Sequence, residues 1–163
     1  MPLGPVPTVV GTAAVGQIPG TATNDAASAG NIGEYVSSTL LIGSAVSLSN
    51  GTAADVTSIS LTAGDWDVWG SVFFSPQTTT SITQFFGWTS ATSATQPTFP
   101  NNGAVFVTSY AAGTVFGTSN NSFNIGMQRI TLSSTTTIYL SAKAAFSVSS
   151  LNAYGFIGAR RVR

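Results

Sequence analysis

The chain has 163 residues with five basic and five acidic side chains, a net charge of zero. Charged residues are 6% of the total, against about 25% in an average soluble protein. So neutral a surface has no electrostatic reason to seek nucleic acid or an anionic membrane, and it lacks the charge that keeps monomers apart. Copies of the chain, or a larger assembly, are therefore expected to cover much of it.

In chain order, residues 1–30 stand apart. Three prolines fall within Met1–Pro7, and small residues follow to Gly30 without helical or strand periodicity. Proline removes backbone donors and favours extended chain. The segment reads as a disordered terminus or as an arm that docks on a neighbour. Val9, Val10, Val15 and Ile18 favour the arm, because a purely solvated tail has little use for them. From residue 31 to 163, strand signals recur at short spacing. Glu34–Ile42 alternates, with Val36, Ser38, Leu40 and Ile42 on one side. Ala45–Leu48 is short and ends at Asn50-Gly51. Val56–Thr62 and Asp65–Ser75 read as a hairpin turning at Ala63-Gly64, with Ile59 and Leu61 on one face and Trp66, Val68, Gly70, Val72 and Phe74 on one face. Ser81–Thr89 carries Phe86 and Trp88 on one face and Phe85 on the other. Ala104–Tyr110, the alternating run from Phe123 to Leu132, Thr136–Phe146 and Tyr154–Val162 complete nine strands. The 22 Ser, 23 Thr, 17 Gly and seven Pro supply strand and turn residues. The pattern is all-β, a sandwich or a barrel.

No catalytic constellation emerges. The chain has neither His nor Cys, which removes the usual general base, the commonest metal ligand, a thiolate zinc site and any disulfide framework. Asp65 and Asp67 sit side by side on one strand, about 7 Å apart by strand geometry, a separation compatible with glycosidase carboxylates but not facing each other across a sugar. They read as solvated turn residues. Asp55, Asp65 and Asp67 lack EF-hand spacing for calcium. Lys143 could pair with a Ser nucleophile, but its place in an alternating strand favours a solvent or interface role. No catalytic, cofactor or metal residue is assigned. Phe86 and Trp88 are candidates for core or interface. The three arginines in Arg160–Arg163 are expected to pair with carboxylates or carbonyls between subunits, since no wider basic surface supports nucleic acid. Met1–Pro7 has no basic, apolar signal pattern and no run approaches the ~20 apolar residues of a membrane span, so a soluble product made in a cytoplasm without export is expected.

Ile59-x-Leu61, Gly64, Trp66 and Val68, with the last strand Tyr154-Gly-Phe-Ile-Gly158, resemble trimeric jelly-roll domains of the C1q/TNF type. Gln17–Ser38, Thr52–Val68 and Tyr154–Arg163 resemble a family of tailed-bacteriophage structural proteins, tail-fibre-like or head-decoration-like. The resemblance implies an antiparallel jelly-roll β-sandwich with an extended N-terminal arm, and a homotrimer. It also implies a virion component, assembled in the host cytoplasm and placed on the virion surface; no cofactor, nucleic-acid or membrane partner is expected. Phe86, Trp88, Tyr154, Phe156 and Arg160 are the expected trimer interface. Val9, Val10, Val15 and Ile18 are the expected attachment to the major capsid protein or another virion protein. With its own Met1, a short arm and no shaft, the chain suits a capsid decoration, cement or short head-fibre protein. The alternative is the receptor-binding tip of a tail fibre or baseplate, binding host surface glycan through loops 76–81, 90–103 and 111–121.

Overall fold

The structure is a computed structural model, and it describes residues 26–98 and 104–163. These residues form nine strands and one short 3₁₀ turn at Ile42–Ser44. The strands are β1 (Tyr35–Leu40), β2 (Val46–Ser47), β3 (Ala54–Leu61), β4 (Gly64–Pro76), β5 (Ser81–Ser90), β6 (Val105–Ser109), β7 (Asn121–Leu132), β8 (Thr136–Ser147) and β9 (Leu151–Arg161). All pairings are antiparallel.

One sheet has the order β1-β9-β4-β7, with β2 also on β9; the other has the order β3-β8-β5-β6. Successive strands therefore cross between sheets at every step from β3 onward except β5 to β6. This interleaved order is a jelly roll, as the resemblance implies. The boundary at residue 30 falls in a turn fastened to the domain, where the Gly30 N–H donates to Glu34 and the Gly33 N–H to the Arg161 carbonyl.

The sequence misplaces one feature. β3 and β4 are not a hairpin: β3 pairs with β8, whereas β4 lies between β9 and β7 in the opposite sheet. The stretch Thr62-Ala63-Gly64 is a corner that carries the chain across the sandwich. Gly64 takes φ +138°, and a Cβ there would strike the Arg161 guanidinium, so the corner requires glycine. The Trp66 indole N–H donates to the Thr62 carbonyl at 2.9 Å, and Arg161 Nη1 donates to the Ala63 carbonyl at 2.7 Å.

The faces themselves are as the alternation requires. Ile59, Leu61, Trp66, Val68, Val72 and Phe74 all lie in the core between the sheets. Phe74 meets Phe85 at 4.3 Å between ring centroids, and Phe106 stacks on Phe123 at 4.7 Å. Such ring pairs add packing beyond their buried area. A bulge between Ile82 and Gln84 lets Ile82 and Phe85 both reach the core despite their odd spacing. Gly70 and Gly155 let strands and the Leu140 side chain approach closely, since a Cβ at Gly155 would run into the Ser71 carbonyl oxygen.

Candidate interaction surface

The outward faces of the two sheets carry the side chains left over from the core. On the β1-β9-β4-β7 sheet, cross-strand pairing sets Tyr35, Arg160, Asp67 and Arg129 in one row. Phe156 lies beside Ser71 and Thr39, and Tyr154 lies beside Phe73. Trp69 sits opposite Gly158, where a Cβ would lie 2.9 Å from the Phe156 ring and 3.3 Å from the Trp69 ring. The missing side chain at Gly158 thus lets two aromatic rings lie down on the sheet. Tyr35 and Trp69 are 6.1 Å apart between centroids, and Phe73 stacks on Tyr154 at 5.1 Å. Five aromatic rings so form one outward patch. Tyr35 is 45% exposed, and the other four are partly exposed.

The expected interface residues divide between two faces. Tyr154, Phe156 and Arg160 lie together on this patch. Phe86 and Trp88 lie on the outward face of the other sheet, on the far side of the sandwich. There Phe86 sits between Lys143 and Val107, and the Lys143 ammonium rests 4.9 Å from the centre of its ring. Lys143 is half-buried, and among the described residues it makes no hydrogen bond to a Ser. Trp88 is 0% exposed. Its row continues through Ser141 to Asp55, whose carboxylate accepts from Ser141 Oγ at 2.6 Å, from the Ala94 N–H at 2.8 Å and from Ser93 Oγ. Asp55 is therefore the anchor of the loop after β5, and Ala94 at φ +46° marks its tight turn. The attachment residues Val9, Val10, Val15 and Ile18 lie outside the described residues.

Tyr35, Trp69 and Phe73 belong to the patch and escaped the sequence reading. The signal was available for two of them. With Trp66, Val68, Val72 and Phe74 inward, the pleat sends Trp69 and Phe73 outward.

The charged residues form a clamp at one end of the sandwich. Arg161 is 5% exposed; its Nε donates to Glu34 at 2.8 Å, its Nη2 to Thr62, and its guanidinium lies 4.3 Å over the Trp66 ring. Burial opposes ionisation of Glu34, but the Gly30 N–H and the Arg161 guanidinium outweigh it and hold the carboxyl below its usual value. Asp65 is 3% exposed, which corrects the expectation of a solvated turn residue. It accepts from Thr131, Arg129 (2.8 Å) and Arg163 (2.7 Å), and these hydrogen bonds and charges lower its pKa to about 2. Arg161 and Arg163 pair within the chain, which corrects the expectation of pairing between subunits. Asp67 and Arg160 are cross-strand neighbours that form no ion pair within the described residues. A carboxylate held at low pKa by arginines is no general acid, and no group of three metal-ligating side chains occurs among the described residues.

No protein-family model matches the chain, and no curated protein does. Among solved structures, the chain is similar to a structure of infectious bursal disease virus Gx strain, with 13% identity and a TM-score of 0.44 over 79% of this chain and 32% of that one. It is similar to the Gt strain structure with 15% identity and a TM-score of 0.39, over 77% and 30% of the two chains. The crystal structure of the infectious bursal disease virus VP2 subviral particle gives 13% identity and 0.40, over 78% and 30%. The chain spans about a third of the length of each.

Proposed function

We propose that the chain is a non-enzymatic structural protein of a bacteriophage virion. In this reading it is a homotrimeric capsid decoration, cement or short head-fibre protein, exposed on the virion surface and anchored by its N-terminal arm to the major capsid protein or another virion protein. The observation that carries the reading is the patch of Tyr35, Trp69, Phe73, Tyr154 and Phe156 on a sheet face. Contiguous outward aromatics in a charge-poor chain mark a surface meant to be covered. Asp67 and Arg160 at its edge offer both signs of charge, which suits contact between copies of one surface. The jelly-roll order and the phage-family resemblance of Gln17–Ser38 and Tyr154–Arg163 support the same reading.

Sedimentation gives the first test: an assembly of three 16.6 kDa chains is expected, and a monomer at micromolar concentration overturns the trimer. Imaging of the intact particle gives the second. Many copies spread over the head support decoration, and a few at the tail refute it. The receptor-binding alternative draws on one observation, the loop after β5 held in fixed form by Asp55. Binding of the chain to purified host surface polysaccharide tests it, and loss of binding on changing Thr92 or Thr95 is expected if that loop is the site.

A further inference from the structure

β7 is the edge of its sheet: it pairs with β4 on one side and with no strand on the other among the described residues. It is twelve residues long, a length at which an open edge invites another strand. A bulge opposite Trp69 interrupts it, leaving Gln128–Leu132 as a regular run. Along that run lies a cleft of about 350 Å³. Ile130, Thr131 and Leu132 all line it, and consecutive residues point to opposite faces, so the cleft follows the strand's edge itself. Val68 and Ile138 close it from within, and its other lining residues are likewise uncharged. Thr89 also lines it, and the Thr89 Oγ1 is buried with no hydrogen-bond partner among the described residues. A buried unpartnered hydroxyl is costly, and it belongs to a residue that lines the cleft.

We propose that this cleft is a strand-acceptor site, and that its occupant in the free protein is the chain's own segment Thr8–Ile18. The segment lies outside the described residues and matches the cleft in chemistry. It is uncharged, rich in β-branched residues, and free of proline between Pro7 and Pro19, so each residue keeps its backbone donor. The reach suffices. A strand added outside β7 would lie four strand spacings from β1, about 19 Å, while residues 19–25 span up to about 25 Å. The described chain begins beside the Arg161 end of β9, and Leu132 lies at that same end, paired with Gly64. An added strand would give the β7 edge its missing partners, supply the Thr89 hydroxyl with a backbone acceptor, and turn Val9 and Val15, which share one face, toward the core. Attachment to a shell would draw the same segment out of the cleft, so the site belongs to the protein before assembly.

The test uses the full chain. Native cysteine is absent, so a nitroxide on Thr12→Cys is the one label. It is expected to broaden the methyl signals of Ile130 and Leu132 far more than that of Leu151 at the opposite end. Equal or absent broadening overturns the proposal, and so does broadening seen only between labelled and unlabelled copies in a mixed sample. Amide exchange at residues 8–18 is expected to be at least about tenfold slower than in a free peptide of that sequence. Thr89→Val should speed it several-fold while β9 stays protected, and unprotected 8–18 amides in the parent chain, or no effect of Thr89→Val, sink the proposal.

Discussion

Replacing Arg161 by Met tests the clamp on which the jelly-roll corner depends. The methionine keeps much of the apolar stem against Trp66 but removes five donors. Glu34 loses its guanidinium partner at 2.8 Å, and the Ala63 carbonyl and the Thr62 hydroxyl lose theirs. Removing one member of a buried ion pair costs about 3–5 kcal/mol, because the remaining charge is left uncompensated. Glu34 keeps a side-chain exposure of 11% and its bond from the Gly30 N–H, so the lower end applies, about 3 kcal/mol. For a chain of this size each kcal/mol moves the melting temperature by about 2–4 °C, so a fall of about 6–12 °C is expected. Urea denaturation of the single variants and of Arg161→Met with Glu34→Gln completes a double-mutant cycle. The coupling energy should be at least about 1 kcal/mol, with the double variant more stable than Arg161→Met alone. A loss below about 1 kcal/mol, or strict additivity, would refute the claim that the clamp holds a buried carboxylate.

Asp65 has a folded pKa of about 2 against an ordinary 3.8, so its contribution to stability is complete above pH ~4 and is lost as pH falls toward 2. The urea midpoint should drop across that window, and Asp65→Asn should flatten the drop. Gly155→Ala drives a methyl group against the Ser71 carbonyl and Leu140, where backbone cannot yield, and should cost about 1–3 kcal/mol or more by calorimetry. Trp69→Ser with Tyr154→Ser should lower the sedimenting mass to that of a single chain while leaving the circular dichroism unchanged; an intact assembly would remove the aromatic patch as its interface. Asp55→Ala should release residues 91–95, read as faster proteolysis in that loop, and unchanged cleavage would show that the two bonds from Ser93 and Ala94 to Asp55 do not hold it.

Strand number and inward faces were legible because a period of two survives any arrangement of the strands. What periodicity does not carry is the sheet to which a strand belongs. Ile59 and Leu61 point inward whether β3 pairs with β4 or faces it across the core, so the corner at Thr62-Ala63-Gly64 has the same signature as a hairpin turn. The distinction rests on Arg161, almost a hundred residues away, whose guanidinium occupies the space beside Gly64. The division of the aromatics was hidden for a similar reason. Phe86 and Tyr154 are each outward in their own strands, and only the order of strands shows that their faces look away from each other. Asp65 was misread because its partners, Arg129, Thr131 and Arg163, come from β7 and the chain's end, beyond any local window.

The placement of charge links the fold to the proposed surface. Glu34, Asp65, Asp67, Arg129, Arg160, Arg161 and Arg163 gather at one end of the sandwich, where the chain joins β1 and leaves β9. Five of the seven satisfy one another, and their bonds pass through the corner and both termini of the described domain. The charges therefore serve chiefly to close the jelly roll. Closing it with ion pairs at one end leaves the broad sheet faces to Ser, Thr and aromatic residues. Repulsion does not protect such faces from association, and the two members without an ion pair among the described residues, Asp67 and Arg160, lie at the edge of the aromatic patch. In the proposed assembly of copies, apolar area would supply the attraction, and the Asp67 carboxylate and the Arg160 guanidinium at the patch edge would fix how the copies meet.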